Sequence, residues 1–193
     1  MGSTATLRAD RRTAIYDAVF ELLGEVGYDR MTMDAVAARA RASKATLYRS
    51  WPSKPDLVAE AIVHHFGDSP PSPDTGSLRG DLLAIVSLAC SVAGGSDGDV
   101  ISGLLTAASR DPELSRTMQR CMYDTKHGMF QQVVDRACRR GELCSGADAG
   151  ILHEVLHALI LARRMWETGE FDDGYAEHVV DRVLIPVLEH PGR

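Results

Sequence analysis

Residues 32–57 read TMDAVAARARASKATLYRSWPSKPDL, and their spacing decides the fold. Thr32 is a good helix N-cap, with Asp34 in the first turn, where the helix dipole favours negative charge. Ala35, Val36, Ala37 and Ala40 give that helix a compact apolar side. Ser43 is a second N-cap, and Lys44 to Arg49 amounts to little more than one further turn. Ser53 opens a third helix, with Asp56 three residues on as in a capping box and Pro55 in the tolerated first turn. So short a second helix is unstable alone and must be held by its neighbours. It presents Lys44, Thr46, Tyr48 and Arg49 outward. That layout is a helix-turn-helix reading a DNA groove.

The upstream segment supports the same fold. Ile15, Ala18, Val19, Leu22, Leu23 and Val26 follow i, i+3, i+4, i+7, i+8, i+11, an unbroken helical stripe. Gly27 is placed to end that helix. Arg8, Arg11 and Arg12 put positive charge at its leading end, against the dipole preference. A phosphate partner and a solvated basic N-terminus both account for them.

Residues 8–66 resemble the DNA-binding domain of the TetR family of bacterial transcriptional regulators. The resemblance is carried by the first helix ending in Gly27-Tyr28, by Thr32-Met33-Asp34-Ala35-Val36-Ala37 and by Ala42-Ser43-Lys44-Ala45-Thr46-Leu47-Tyr48. It continues through Trp51 and Ser53-Lys54-Pro55-Asp56-Leu57. The family usually has Gly at the position of Ala45 and Phe at that of Trp51. The rest of the chain resembles the family in length, helical content and placement. Arg110-Asp111-Pro112-Glu113-Leu114, opening a long helix that ends near Gly141-Glu142-Leu143, looks like one of its C-terminal types.

That resemblance implies a homodimeric regulator, not an enzyme, without a cofactor. It would be released from a palindromic double-stranded DNA operator by a small apolar effector. It implies Lys44, Ala45, Thr46 and Arg49 near base edges, and Thr32, Ser43, Tyr48 and Lys54 on phosphates. Arg49 is the best candidate for a bidentate guanine contact. An effector-independent DNA-binding protein is the alternative that keeps the module.

Charge sharpens the picture. The net charge is −6, yet residues 1–66 carry nine Lys/Arg against eight Asp/Glu, and the acidic excess sits in residues 67–193. Binding depends on the face presented to phosphates rather than on the total. A near-neutral module predicts modest non-specific affinity and hence two copies acting together. No apolar run approaches the ~20 residues that span a bilayer, and no secretory signal precedes Leu7, so a cytoplasmic protein without membrane partners is expected.

The expected domains are the helix-turn-helix module, 1–66, and an effector-binding and dimerisation body, 67–193. The expected fold is all-α with about nine helices. In the body, helices are expected over Ser77–Ala93, Asp99–Ser109, Pro112–Arg140, Ala147–Thr168 and Asp172–His190, with Pro186 kinking the last or ending it early. Met118, Met122 and Met129 on the long helix are candidate effector contacts, because methionine adapts to varied apolar ligands; ordinary core is the competing reading. The last two helices, striped by Ile151, Val155, Leu156, Leu159 and Ile160 and by Val179, Val180, Val183, Leu184 and Val187, have apolar surface for a partner copy.

Two motifs point elsewhere. His153-Glu154-Val155-Leu156-His157 matches the HExxH pattern of zinc hydrolases, which makes a metal-binding or metal-dependent hydrolytic protein a third alternative. A zincin, however, needs strands and a cleft, and the expectation is no metal. Cys90, Cys121, Cys138 and Cys144 have no CxxC spacing and are expected as buried free thiols; a redox switch at Cys138 and Cys144, flanking a helix end, is the other reading.

Overall fold

The computed structural model describes residues 3–66, 72–144, 147–166 and 170–189, with side chains from residue 10 onward apart from 121–127. Among them are ten α-helices, one π-helical segment and no strand. The chain is all-α.

Helix α1 (Ser3–Arg30) breaks at Gly27, whose φ of 76° and ψ of 168° are readily available only to glycine. Helix α2 (Met33–Arg39) starts where Thr32 Oγ1 accepts the Ala35 N–H at 3.1 Å. Helix α3 (Lys44–Ser50) starts where Ser43 Oγ accepts the Thr46 N–H at 3.2 Å. Helix α4 (Lys54–Phe66) follows half of a capping box: the Asp56 N–H donates to Ser53 Oγ at 3.3 Å, while the Ser53 hydroxyl, in place of its backbone N–H, donates to the Asp56 carboxylate at 2.8 Å. All three caps follow from the residue types at those positions.

Helices α5 (Leu78–Gly94), α6 (Ser96–Ala108), α7 (Pro112–Arg140) and α8 (Ala149–Trp166) lie within a few residues of the expected bounds. The ninth expected helix is divided. Helix α9 (Asp173–Val179) passes through a π-helical turn over Val180–Leu184 into α10 (Ile185–Glu189). The reason is Pro186, which has no N–H for the Arg182 carbonyl and crowds it. The turn widens by one residue, and the Ile185 N–H reaches back five residues to the Val180 carbonyl.

Packing divides the chain into two compact units, Met1–Asp68 with Asp99–Tyr123, and Ser69–Gly98 with Asp124–Arg193. The core of the first joins Ile15, Val19 and Leu22 of α1, Val36 of α2, Leu47 of α3 and Leu57, Val58 and Ala61 of α4. Val100 and Leu104 of α6 and Leu114 and Met118 of α7 complete it. The helix-turn-helix thus shares one core with α6 and the start of α7, an association that periodicity along either segment does not reveal.

The core of the second unit is built from Leu82, Ile85 and Val86 of α5, Phe130, Val133 and Val134 of α7, Leu152 and Leu156 of α8, and Val179, Val180, Leu184 and Leu188 of the last helix. It also holds a buried acid. Asp81 has no exposed surface and accepts from the Thr75 N–H at 2.6 Å, the Thr75 hydroxyl at 2.8 Å and Arg140 Nη2 at 3.3 Å. A buried carboxylate needs such partners. Arg140 also pairs with Glu142, whose other oxygen accepts the Leu78 N–H at 2.6 Å, and these two donors hold the Glu142 carboxyl below its ordinary range. The network fastens the segment before α5 to the end of α7.

Candidate nucleic-acid interface

The candidate recognition element is α3. Leu47 is wholly buried and Trp51 nearly so, which anchors the helix by one side. Lys44, Ala45, Tyr48 and Arg49 are exposed, Tyr48 at 53%. Thr46 is half-buried, its hydroxyl 2.8 Å from that of Ser43. Thr32 and Ser43, both exposed, are held by their capping bonds at the starts of α2 and α3. The structure therefore gathers Thr32, Ser43, Lys44, Ala45, Thr46, Tyr48 and Arg49 on two short helices and their caps.

Several cations of this unit are already engaged. Lys44 Nζ lies 2.6 Å from Asp34 Oδ2, and that carboxylate raises the ammonium pKa. Both side chains are well exposed, so the pair adds little stability. Arg39 pairs with Glu25 at 2.7 Å and Glu21 at 3.0 Å, joining α2 to α1, and its hydrogen bond lowers the Glu25 carboxyl pKa. Arg12 bridges Glu60 of α4 and the Tyr16 hydroxyl, with its guanidinium carbon 5.2 Å from the centre of the Trp51 ring. Trp51 Nε1–H donates to the same Glu60. Of the three N-terminal arginines, Arg12 is thus tied within the module, Arg11 is exposed, and the Arg8 side chain lies outside the described residues.

Lys54 is held differently. Its ammonium donates to the carbonyls of Tyr28 at 3.0 Å and Met31 at 3.2 Å and sits 3.9 Å from the centre of the Tyr28 ring. Burial is the main cause that lowers its pKa. The Tyr28 hydroxyl donates to Asp111 Oδ2 at 3.1 Å, and burial, then that carboxylate, push the phenol well above its ordinary range. Asp111 in turn caps α7, accepting the N–H groups of Glu113 at 3.0 Å and Leu114 at 3.1 Å. Lys54, Tyr28 and Asp111 make one chain of contacts from α4 through the end of α1 to the start of α7. The capping bonds of Asp111 span two and three residues, whereas Tyr28, 83 residues away, is brought to it by the fold alone.

Arg41, between α2 and α3, was missed. It is exposed and is the one non-glycine residue with positive φ among the described residues, at 50°. A signal existed: no glycine stands between Tyr28 and Phe66, so a tight turn there had to place a side chain in the left-handed region.

The candidate effector residues separate. Met118 is buried in the first unit's core, Met129 lies half-buried against the second unit's core, and the Met122 side chain is outside the described residues. In the HExxH motif, His157 Nδ1 lies 2.8 Å from the His153 carbonyl of its own helix, and Glu154 is exposed. No group of three potential metal ligands occurs among the described residues. The cysteines only partly match expectation. Cys90 is buried, and burial raises its thiol pKa; Cys138 is half-buried and Cys144 exposed. Cys144 lies past the end of α7, where its carbonyl accepts from the Cys138 thiol at 3.3 Å while its own side chain faces solvent. Cys121 lies outside the described side chains. Among the described residues, no single helix is long and apolar enough to cross a membrane.

Comparison with known proteins agrees with this geometry. Residues 15–61 match the model for bacterial regulatory proteins of the tetR family, and residues 72–183 match the tetracyclin repressor-like C-terminal domain. The chain is 36% identical over 178 residues to the uncharacterized HTH-type transcriptional regulator Rv1556 of Mycobacterium tuberculosis, covering 92% of this chain and 88% of that one. It is 35% identical over 185 residues to the DNA-binding transcriptional repressor TetR of Mycobacteroides abscessus, covering 94% and 95%. The crystal structure of the TetR family transcription regulator SCO0332 superposes with a TM-score of 0.72 at 27% identity, covering 90% of this chain and 96% of that one. With both its N-terminal and C-terminal parts matched, this chain is a transcriptional regulator, not an enzyme, and belongs to the TetR family of bacterial transcriptional regulators.

Proposed function

We propose that the protein is a homodimeric repressor that leaves a palindromic operator when a small apolar molecule binds its body. The observation that carries the reading is α3, anchored inward by Leu47 and offering Lys44, Tyr48 and Arg49 to solvent. Lys44, Ala45, Thr46 and Arg49 face base edges; Thr32, Ser43, Tyr48 and Lys54 face phosphates and fix the register. Lys54 has three donors, two of which serve the Tyr28 and Met31 carbonyls, so one remains for a phosphate.

Two copies are required because one near-neutral module holds DNA weakly. Helix α8 supplies the surface for pairing. Ile151, Ala158, Ala162, Met165 and Trp166 are exposed, Trp166 at 82%, and Val155 and Leu159 are half-buried. Val183 and Val187 of the last helix are half-buried as well. A two-fold axis through these helices buries that apolar surface in a four-helix interface. Residues 1–66 act as the DNA-binding domain and 67–193 as the effector and dimerisation domain, the protein working in the cytoplasm.

The similarity to a named repressor supports repression. Of the three methionines of α7, Met129, half-buried against the second unit's core, is the one retained as a proposed effector contact. The fold-neighbour FadR from Bacillus subtilis, 16% identical, was crystallised with stearoyl-CoA, so this fold accommodates an apolar chain. An effector acts by binding the DNA-free spacing of the two recognition helices more tightly, with couplings of ~1–3 kcal/mol.

Selection of bound duplexes from a randomised library by the purified chain tests this. The expected consensus is two-fold symmetric, with half-site centres ~34–36 Å apart. An asymmetric consensus held by one protomer overturns the dimeric reading. Unchanged operator affinity across a panel of apolar small molecules, and with the amphiphilic thioester stearoyl-CoA, counts against the effector.

A further inference from the structure

The turn between α2 and α3 closes on a Schellman motif. The Ala42 N–H donates to the Ala37 carbonyl at 2.9 Å, and the Arg41 N–H to the Ala38 carbonyl at 3.3 Å. This pattern needs a left-handed residue at the first position beyond the helix, which glycine adopts at no steric cost. The same motif ends α7, where Glu142 N–H reaches Ala137 O at 2.9 Å and Gly141 N–H reaches Cys138 O at 3.1 Å, with Gly141 at a φ of 78°. The chain therefore uses glycine for this geometry at one helix end and an arginine, at a φ of 50°, at the other.

The arginine side chain has no structural duty that offsets this. Arg41 is exposed, and its guanidinium forms no hydrogen bond or ion pair among the described residues. Its neighbours differ: Arg12, Arg39, Lys44 and Lys54 are each engaged by carboxylates or carbonyls. Arg41 stands two positions before Ser43, the cap of the recognition helix, and Arg49 stands near that helix's other end. Both bring uncommitted guanidinium groups to the face already assigned to DNA.

We propose that Arg41 is a phosphate-binding residue of the DNA interface, kept in a strained conformation because its guanidinium is needed there. This rests on the DNA-binding reading of the module. Each protomer adds one cation to the backbone contacts, on the upstream side of α3, and the contact is independent of sequence.

The test uses the full chain with a mixed-sequence duplex and with its selected operator, over a series of salt concentrations. Arg41→Gly removes both strain and charge. It is expected to raise Tm by about 2–4 °C, to weaken both duplexes roughly five- to tenfold per protomer, and to flatten the salt dependence by about 0.9 per protomer. Arg41→Ala loses the same affinity without the gain in Tm, and Arg41→Lys regains most of the binding. Arg110→Ala, which removes an exposed cation elsewhere in the same unit, is expected to leave the salt slope unchanged. Wild-type binding and slope retained by Arg41→Gly would overturn the proposal, as would an equal loss in Arg110→Ala. Failure of the wild type to bind any duplex would instead overturn the reading of the module and this proposal with it.

Discussion

The Tyr28 hydroxyl donates to the Asp111 carboxylate at 3.1 Å, fastening the corner at the end of α1, just past its break at Gly27, to the start of α7. Asp111 is at once the cap of α7 and the acceptor for a residue of the DNA-binding module. Lys54 against the Tyr28 ring completes the connection to the helix that follows the recognition element. Any movement of the start of α7 must therefore act on the corner that supports α2 and α4.

Removing the Tyr28 hydroxyl tests this fastening. Tyr28→Phe keeps the ring and its contact with Lys54 but leaves Asp111 without that donor. The net loss is about 1–2 kcal/mol for a hydrogen bond to a charged acceptor, a fall in Tm of several degrees by thermal unfolding. The pH dependence has a definite sign. The backbone N–H of Leu114, followed by the Tyr28 hydroxyl and the Glu113 N–H, lowers the Asp111 pKa. The folded state thus binds this proton less readily than the unfolded chain, and the contribution is fully present above the ordinary aspartate pKa of about 3.9. It fades as pH falls through the lower folded value. Asp111→Asn is expected to flatten the stability profile in that acid window, while an unaltered profile would separate Asp111 from acid stability.

Lys54→Ala removes two charge-assisted hydrogen bonds and a cation–π contact as well as the proposed phosphate contact. The expected loss is about 1–3 kcal/mol of stability, visible as a lower Tm without DNA. Binding measured well below that Tm is expected to weaken alike on cognate and scrambled duplexes. A variant as stable as the wild type would show that the Tyr28 and Met31 carbonyls are equally well served by water.

Arg49→Ala distinguishes base from backbone contact. Losing a bidentate guanine contact costs ~1–3 kcal/mol on the selected operator and little on scrambled DNA, so competition between the two duplexes reports relaxed specificity. Equal losses on both would make Arg49 a phosphate ligand instead.

Ala158→Arg on the exposed side of α8 places a charge in the proposed helix pairing without disturbing the buried Leu152 and Leu156. Sedimentation is expected to give a monomer with wild-type helical content and much weaker operator binding. A dimer that survives the substitution would place the interface elsewhere.

The module was legible because its determinants are local. Thr32, Ser43 and Ser53 cap within three residues of themselves, and the stripe from Ile15 to Leu23 falls on one side of α1 whatever it packs against. Pro186 likewise announced a disturbance in the last helix, though not that a π-helical turn would absorb it. Met118 and Met129, equivalent on periodicity, belong to different cores, and nothing in the spacing of α7 distinguishes them. On α8 the expected stripe included Ile151, which is exposed, while Leu152 beside it is buried. A helix with apolar residues on adjacent positions does not state which of them turns inward.

By itself, the sequence determined the helices, their caps, the tight turn before α3 and the family. Hydrogen bonds and propensities that act within one or two turns are written in adjacent residues. The tertiary structure alone decided which charges are spent and which are free. Arg12, Arg39 and Lys54 are held by groups 14 to 48 residues away, whereas Arg41 and Arg49 are left to solvent. That distinction depends on which helix surfaces cross, and a carboxylate neutralises a cation only when the fold brings it within a few ångströms.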